Sequence, residues 1–263
     1  MDSTYLLKEF HISEIHNWEK KSVYARMILE SLPDWFGNKK SIEEYVKGVG
    51  DFPFWAALDG EGKCLGFFSA RIHYGHTGDV YVCGVRPEYH HMGLGKALYG
   101  RVEQFFLGKG CKYAIVETLS EKANYEPYEK TRRFYESIGF EPLITLTEMW
   151  DESNPCLIMV KFLALQALAT GMNCRFPEGN NPYQIATRLL EECGEVAKEV
   201  NRQEGSGTKV QRHGPGSKKD LAGEIRDALN ALSQLCLYYG AHPELDRAIA
   251  ESLEALRGEG YIG

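Results

Sequence analysis

Two pairs of acidic residues near the carboxyl-terminal end of the sequence have the spacing of one helical turn. Glu192 and Glu195 form the first pair, and Glu224 and Asp227 form the second. Residues i and i+3 share one face of a helix, so two such helices packed face to face would bring four carboxylates together. Because four like charges repel one another, a hard divalent cation would stabilise the cluster. The spacing therefore predicts a magnesium or manganese site in a helical bundle.

Apolar residues lie one turn before and one turn after Glu192, which places this carboxylate in a core-facing stripe, and the same holds for Glu224. A carboxylate in such a stripe is destabilising unless it is paired or bound to a metal. The alternatives are surface helices with ordinary acidic faces, and buried ion pairs to Arg188 or Arg226. The matched spacing in two separate helices favours metal binding over both.

The segment from Tyr183 to about Leu256 resembles the MazG-type nucleoside triphosphate pyrophosphohydrolases. The run Glu191–Glu195 matches the Glu-Glu-x-x-Glu helix of that family, and the run Glu224–Asp227 matches its Glu-x-x-Asp helix. Gly223 stands where the family often has a further acid. The resemblance implies an all-α bundle whose four inner acids hold magnesium. It also implies that a nucleoside triphosphate is hydrolysed to the monophosphate and pyrophosphate.

A second chemically informative segment lies in the amino-terminal half. The sequence predicts a strand over Asp79–Val85, a loop over His90–Gly95 and a helix that begins near Leu94. Gly93 and Gly95 allow a ligand to approach the backbone closely, and a helix N-terminus directs free N–H groups at it. The pattern is typical of a phosphate- or pyrophosphate-binding loop. A tight strand–helix turn is the alternative.

With a later helix that ends in the run Phe134–Phe140, this pattern resembles the GNAT acyl-CoA acetyltransferases over residues 3–163. Gly93 and Gly95 match the glycines of the family's Gln/Arg-x-x-Gly-x-Gly/Ala loop, while His90 stands where Gln or Arg is usual. The later run matches the family's Phe-Tyr-x-x-x-Gly-Phe motif. The resemblance implies a mixed α/β fold that binds acetyl-CoA and acetylates a small-molecule amine.

The resemblance also implies roles for individual residues. Tyr135 occupies the position of the general acid, and Asp79 that of the base used by some members of the family. A packing aromatic and a solvent-exposed carboxylate at the start of a strand are the respective alternatives. The residues implied in binding acetyl-CoA are the backbones of Cys83 and Val85 and the loop residues His90, His91, Met92, Gly93, Leu94, Gly95 and Lys96.

Side chains of the amino-terminal half are expected to select the amine. The loop Ser31–Gly37 is a candidate acceptor-site loop. The aromatic residues that could line a pocket are Trp35, Phe36, Tyr125, Tyr128 and Trp150, and the acidic residues that could attract a cationic amine are Asp34, Glu117 and Glu148. Taken alone, each of these residues is also explained by ordinary packing or solvation.

The order of predicted elements divides the chain into a mixed α/β domain over residues 1–163 and an all-α domain over residues 164–263. A loop over Gln203–Ser217 joins the two acidic helices, either as a solvated connection or as a mobile flap over a triphosphate. The predicted strands are Tyr5–His11, Phe54–Leu58, Cys64–His73, Asp79–Val85, Cys111–Leu119, Phe140–Thr147 and Leu157–Leu163. The predicted helices of the first domain are Ser13–Leu32, Ser41–Gly48, Leu94–Gly108 and Tyr128–Ile138.

The composition is that of a soluble globular protein, with 43% hydrophobic and 25% charged residues among 263. A net charge of −7 without a long basic run argues against nucleic acid as a partner. No stretch has the length and apolarity of a membrane span, and no signal peptide is recognisable. Seven scattered cysteines without a Cys-x-x-Cys pair indicate reduced, mostly buried thiols of a cytoplasmic protein.

These observations favour a bifunctional enzyme, an acetyltransferase fused to a nucleotide pyrophosphohydrolase. The alternative is a non-catalytic module that senses acyl-CoA on an oligomerising, nucleotide-binding helical scaffold. Apolar residues on two faces of the helix that carries Glu224 predict a homodimer or tetramer built through residues 164–263. Coverage of the second face by residues 1–163 within one chain is the alternative to assembly.

Overall fold

The computed structural model describes residues 10–151, 153–205 and 214–262. The chain divides into two compact units, Met1–Phe162 and Leu163–Gly263. This division falls one residue before the boundary expected from the change in sequence composition.

The first unit is built on one seven-stranded sheet in the order β1-β2-β3-β4-β5-β7-β6. Strands β4 and β5 are parallel, and every other neighbouring pair is antiparallel. The strands are β1 His11–Glu14, β2 Phe54–Leu58, β3 Cys64–His73, β4 Thr77–Val85, β5 Tyr113–Leu119, β6 Glu141–Asp151 and β7 Asn154–Phe162. The prediction of a mixed α/β sheet is therefore confirmed.

Helices cover both faces of the sheet. One face packs against α1 (Trp18–Leu29) and α2 (Lys39–Gly48), in a core centred on the stacked rings of Phe54 and Phe67. On the opposite face lies α3 (Leu94–Gly108), which buries leucine, valine and phenylalanine side chains, and α4 (Glu126–Ser137) packs near the end of β5. The aromatic and β-branched strand residues thus supply a core on each side of the sheet.

Most predicted elements of this unit have the expected type, and β3 and α3 have the predicted bounds. The predicted start of α1 at Ser13 is wrong. Ser13 pairs with Ala56 of β2, and the helix begins only at Trp18, after the side chain of Asn17 has accepted a hydrogen bond from the Lys20 amide at 2.8 Å. Residues 5–9 of the predicted first strand lie outside the described part of the chain.

An irregularity in β4 creates an opening in the sheet. The register between β3 and β4 shifts at Ser69/Ala70, which leaves Tyr81 as an extra residue between Val80 and Val82. Pairing of β4 with β5 ends at Val80, opposite Val116. Because a bulge bends its strand and increases the twist, the later part of β4 diverges from β5.

In its described part, the second unit is helical. Its helices are α5 Ala164–Arg175, α6 Pro182–Gln203, α7 Lys218–Tyr239 and α8 His242–Gly258. Helix α7 packs against both α5 and α6. Residues 206–213 of the loop predicted between the acidic helices lie outside the described residues, and α7 begins after Ser217, whose hydroxyl accepts from the Asp220 amide at 3.0 Å.

All seven cysteines are free, and the expectation that most would be buried is only partly met, because Cys174 and Cys193 are exposed. Within the described ranges, none of the helices combines the length and the apolar character needed to cross a bilayer.

Candidate functional sites

The divergence of β4 from β5 opens a cavity of about 420 Å³ in the first unit. Its wall includes the second half of β4, the start of α3, the middle of β5 and parts of α4. The described backbone of β4 beyond Val80 has no partner on β5, so the N–H and C=O groups that face β5 lack a sheet partner there. Such an edge can accept an extended ligand as an additional strand.

The loop between β4 and α3 forms one end of the cavity. Gly93 precedes α3 with φ +79°, and no side chain caps the helix. The first intrahelical bond of this end is donated by Ala97 to the Gly93 carbonyl, which leaves the earlier amides of the helix without helical acceptors. His90 lines the cavity, and its Nε2 lies 2.8 Å from the Val85 carbonyl oxygen, one of the backbone groups implied in binding acetyl-CoA. His90 therefore ties the loop to the end of β4.

The structure requires glycine at the two positions of this loop for different reasons. A Cβ at Gly93 would contact nothing within 4 Å, and the residue is required by its positive φ. A Cβ at Gly95 would lie 3.1 Å from Cε2 of Phe134. The prediction that Gly95 makes room for a ligand is thus incomplete, because its nearest neighbour is a ring on α4. Other predicted loop residues line the cavity, whereas Met92 is 41% exposed and is absent from the described lining.

Tyr135 of α4 points into the cavity near the free edge of β4. Its hydroxyl lies 3.4 Å from the Cys83 sulfur, and only 4% of the residue is exposed. Burial, followed by the neighbouring Cys83, raises the pKa of Tyr135 well above its ordinary value. Burial also raises the pKa of Cys83 to about 11. Both groups therefore carry their protons at neutral pH, which suits Tyr135 to donate one.

The alternative of a solvated carboxylate at Asp79 is wrong, since the residue is 1% exposed. Its Oδ2 accepts from Arg71 Nε at 2.6 Å and lies 2.8 Å from His73 Nε2. The register explains this cluster, because Asp79 pairs directly with Arg71 across β3 and β4. Asp79 is thus a buried carboxyl group paired with a guanidinium.

Glu117 of β5 also lines the cavity, and sequence reasoning gave it no catalytic role. Burial raises its pKa most strongly, and the charge of Asp79 raises it further, while Arg71 and His73 act in the opposite direction. An isolated acid in the middle of an otherwise apolar strand was the signal that could have singled it out.

The predicted aromatic pocket forms in large part. Trp35, Phe36, Tyr128 and Trp150 line the cavity, whereas Tyr125 is absent from the described lining. Trp35 is fixed by a hydrogen bond from its Nε1 to Thr131 Oγ1 at 2.8 Å. The predicted acids Asp34 and Glu148 do not belong to the described lining.

In the second unit, three of the four predicted acids come together. One carboxylate oxygen from each of Glu192, Glu224 and Asp227 lies within 4.8 Å of the others. Burial, followed by Asp227 and Glu224, raises the pKa of Glu192. The fourth acid, Glu195, is not part of this group, and its carboxylate forms an ion pair with Lys198 of the same helix.

The donor set of this cluster fits a hard cation, because magnesium and manganese prefer carboxylate oxygens. A cleft lined by the cluster members Glu224 and Asp227 runs between α6 and α7. Basic side chains also line it, namely Lys198, Arg202, Lys219 and Arg226. Arg226 binds Asp227 with 2.6 Å between Nη2 and Oδ2, so a cation at the cluster would compete with this arginine.

Residues 12–140 match the model of the acetyltransferase (GNAT) family. The first unit contains a GNAT acetyltransferase domain. A mycothiol acetyltransferase of Arthrobacter sp. (strain FB24) is 40% identical to this chain over 70 residues, which are 25% of this chain and 22% of that relative. The chain therefore matches about a fifth of the length of this curated relative.

Among solved structures, a protein from Desulfovibrio desulfuricans described as a GNAT-family acetyltransferase superposes with a TM-score of 0.52 at 20% identity. The match covers 59% of this chain and 100% of the other. At this identity the similarity shows the shared fold of the GNAT domain.

Proposed function

We propose that the first unit transfers the acetyl group of acetyl-CoA to a primary amine. The observation that carries the proposal is the cavity between β4 and β5, which joins three features that this reaction needs. The uncapped start of α3 can bind pyrophosphate oxygens through backbone N–H groups. The free edge of β4 can hold an extended pantetheine arm. The protonated hydroxyl of Tyr135 lies beside that edge.

The reaction can be written with its protons balanced. The ammonium form of the acceptor loses one proton to a base, and the nitrogen lone pair then attacks the thioester carbon. As the C–N bond forms and the C–S bond breaks, Tyr135 gives its proton to the departing thiolate. The second proton of the amine returns to the Tyr135 oxygen. The products are an N-acetyl amide, the free thiol of coenzyme A and one proton released by the base.

Calorimetry with acetyl-CoA tests binding, and release of the coenzyme A thiol with a panel of primary amines tests transfer. We expect binding with a dissociation constant on the order of micromolar and turnover of at least one amine. Absence of both heat and a thermal shift with acetyl-CoA would refute the proposal. Binding without transfer to any amine would instead support the non-catalytic, acyl-CoA-sensing alternative.

As a second function, we propose that residues 163–263 hydrolyse a nucleoside triphosphate to the monophosphate and pyrophosphate. The cluster of Glu192, Glu224 and Asp227 supports this proposal, together with the resemblance of the two acidic helices to MazG-type enzymes. A bound magnesium or manganese ion would supply charge neutralisation and an activated water. The basic side chains of the adjoining cleft suit the triphosphate.

The resemblance to the MazG-type motif implies that Glu195 is a fourth metal ligand, although its carboxylate forms an ion pair with Lys198 in this structure. Glu195 lies one turn after Glu192 on α6, and we propose that a bound cation draws its carboxylate from Lys198 to the cluster.

A panel of nucleoside triphosphates with magnesium or manganese, scored for pyrophosphate release, tests the second function. Glu224→Gln should abolish release, whereas the matched change Glu254→Gln, at an exposed position on α8, should leave it unchanged. Equal activity in Glu224→Gln and the wild type would contradict the proposed site.

A further inference from the structure

Glu117 lies at a distinctive point of the sheet. Asp79 pairs with Ile115 across β4 and β5, and the last pair joins Val80 to Val116. Since side chains alternate along a strand, Glu117 is on the same face as Ile115 and Asp79, one residue beyond the last pair. Glu117 is therefore the first side chain of β5 on this face after the strands diverge.

This face is the one opposite Tyr135. Arg71, which pairs with Asp79, alternates with Ser69 and Phe67 along β3, and Phe67 belongs to the core beneath α1. Tyr135 instead contacts Phe134 and Phe140 on the side of α3 and α4. The opening between β4 and β5 thus has an acid on one face and a protonated phenol on the other.

The groups that face Glu117 determine its charge. Asp79 of β4 disfavours the ionised carboxylate, and Arg71 and His73 of β3 favour it. Tyr45 of α2 and Cys156 of β7 also interact with Glu117, because burial raises the pKa of both groups and the charge of Glu117 raises it further. Among the described residues no side chain donates a hydrogen bond to Glu117, whereas Asp79 receives one from Arg71 and contacts His73.

We propose that Glu117, and not Asp79, binds the acceptor ammonium and takes its proton, an inference that rests on the acetyl transfer proposed above. A carboxylate without a hydrogen-bond donor can accept N–H bonds from an ammonium group. Asp79 acts as a positioning residue that keeps Arg71 in place and raises the proton affinity of Glu117. One proton moves from the ammonium nitrogen to Glu117, and it leaves to solvent after the thiol has formed.

The surroundings of Glu117 define the class of acceptor. Aromatic rings of Tyr45, Tyr81 and Tyr128 line the same cavity, and such rings favour a cationic or aromatic group. Arg71 lies over the Tyr81 ring, 5.1 Å from its centroid, and so already occupies one of these faces. The geometry fits a primary ammonium on a compact apolar or aromatic body.

Binding to the full-length protein provides a test that does not depend on turnover. The probes are 2-phenylethylamine, which is a cation at neutral pH, and its neutral analogue 2-phenylethanol, each titrated with coenzyme A present, which has no acetyl group to transfer. The wild type should prefer the cation by about tenfold or more, as expected for a charge-assisted hydrogen bond. Glu117→Gln should lose this preference, and Glu117→Asp should keep part of it. Glu141→Gln, at an exposed position on β6, should behave as the wild type.

Thiol release measured against pH with the amine probe separates the two carboxylates. Removing the base should lower kcat/KM by about 100-fold or more in Glu117→Gln and abolish the acidic limb of the profile. Asp79→Asn should retain that limb and shift it to lower pH, because the charge of Asp79 raises the pKa of Glu117.

An unchanged preference for the cation in Glu117→Gln, or no preference in the wild type, would overturn the inference. The same holds if Asp79→Asn loses the acidic limb and Glu117→Gln keeps it. Acetyl-CoA binding should be equal in all of these variants. A wild type that fails to bind acetyl-CoA but prefers the cation would refute the acetyl-transfer proposal while the assignment of the ammonium site to Glu117 stands.

Discussion

Burial raises the pKa of both ionisable groups at the proposed acetyltransferase site, and this one effect suits two different roles. It keeps the Tyr135 phenol protonated, which a general acid requires, and it raises the proton affinity of the Glu117 carboxyl, which a general base requires. A single low-polarity cavity can therefore prepare both partners for proton transfer at neutral pH. The two residues approach the opening from different faces of the sheet, so their roles do not interfere.

Tyr135→Phe removes only the hydroxyl, so it tests the acid directly. We expect kcat for acetyl transfer to fall by about 100-fold, while the dissociation constant of acetyl-CoA stays within about twofold. The matched control is Tyr24→Phe, a buried tyrosine of α1 outside the described cavity lining. The initial rate of thiol release measures kcat, and calorimetry measures the dissociation constant of acetyl-CoA. Equal kcat in both variants would exclude Tyr135 as the acid.

The carboxylate cluster predicts an inverse relation between stability and activity. Burial and the neighbouring acids raise the pKa of Glu192 in the folded state. A group with a raised folded pKa contributes stability that is present below its unfolded pKa, about 4.3, and is lost as the pH rises through the folded value. Glu192→Gln should therefore raise the melting temperature of the metal-free protein at neutral pH and abolish pyrophosphate release.

Far-ultraviolet circular dichroism with a chelator present measures this effect, with Glu251→Gln of α8 as an exposed control. Magnesium should stabilise the wild type and not the Glu192 variant, because a ligand that binds only the folded state raises stability. A melting temperature that is lower in Glu192→Gln than in the wild type would contradict the proposed repulsion.

Sequence patterns predicted which residues could do chemistry better than they predicted the residues that these side chains contact. Helical periodicity predicted which acids share a face, and Glu192, Glu224 and Asp227 do lie together. The same rule placed Glu195 with them, but its carboxylate pairs with Lys198 instead. Strand register carries no such local rule, and the contact of Asp79 with Arg71 depends on residues eight positions apart that meet through a hairpin. The role proposed for Glu117 likewise depends on where pairing between β4 and β5 ends.

At the scale of elements, the start of α3 depends on backbone conformation. Gly93 has φ +79°, a region that L side chains disfavour by about 1 kcal/mol or more. Gly100, further along α3, is helical, and a Cβ there would meet nothing within 4 Å. Substitution by alanine should therefore have opposite effects on stability at Gly93 and at Gly100.

Gly93→Ala should destabilise the protein by about 1–2 kcal/mol and weaken acetyl-CoA binding, because the loop would leave the conformation that exposes the amides of α3. Gly100→Ala should instead stabilise the protein by up to about 1 kcal/mol, since alanine is favoured in a helix interior. Urea denaturation and calorimetry measure both quantities. Equal effects of the two substitutions on stability would contradict the assigned role of Gly93.

The elements that sequence predicted well are those with strong periodicity. Helix α3 and strand β3 have apolar patterns that continue to their ends, and both were predicted to the residue. The first helix was predicted five residues too long at its start, because Ser13 is a favourable N-cap residue that is used instead in pairing with β2. Tertiary pairing thus overrides a local capping preference.

At the scale of the molecule, the helical unit has apolar surface without a described partner. Within α8, whose residues are all described, no side chain is buried. Leu245, Ile249, Leu253 and Leu256 are each at least 40% exposed and recur at helical spacing on one face. Ile225, Leu229, Leu232 and Tyr239 of α7 are exposed as well. Exposed apolar helix faces of this kind mark interaction sites.

We expect this surface to pair with a second copy of the chain, as a homodimer or a tetramer assembled through residues 163–263. Ile249→Glu places a charge in the middle of the apolar face of α8, so it should shift the protein to the monomer because an unpaired charge is destabilising in an interface. Glu251→Gln, an exposed position two residues away, should leave the assembly unchanged.

Light scattering of the full-length protein over a range of micromolar concentrations measures the mass. A monomeric wild type would refute the assembly, and a dimer that persists in Ile249→Glu would place the interface on another face. Because the three clustered acids lie on α6 and α7, pyrophosphate release by the monomeric variant then tells whether the second copy completes the proposed hydrolase site or only stabilises its helices.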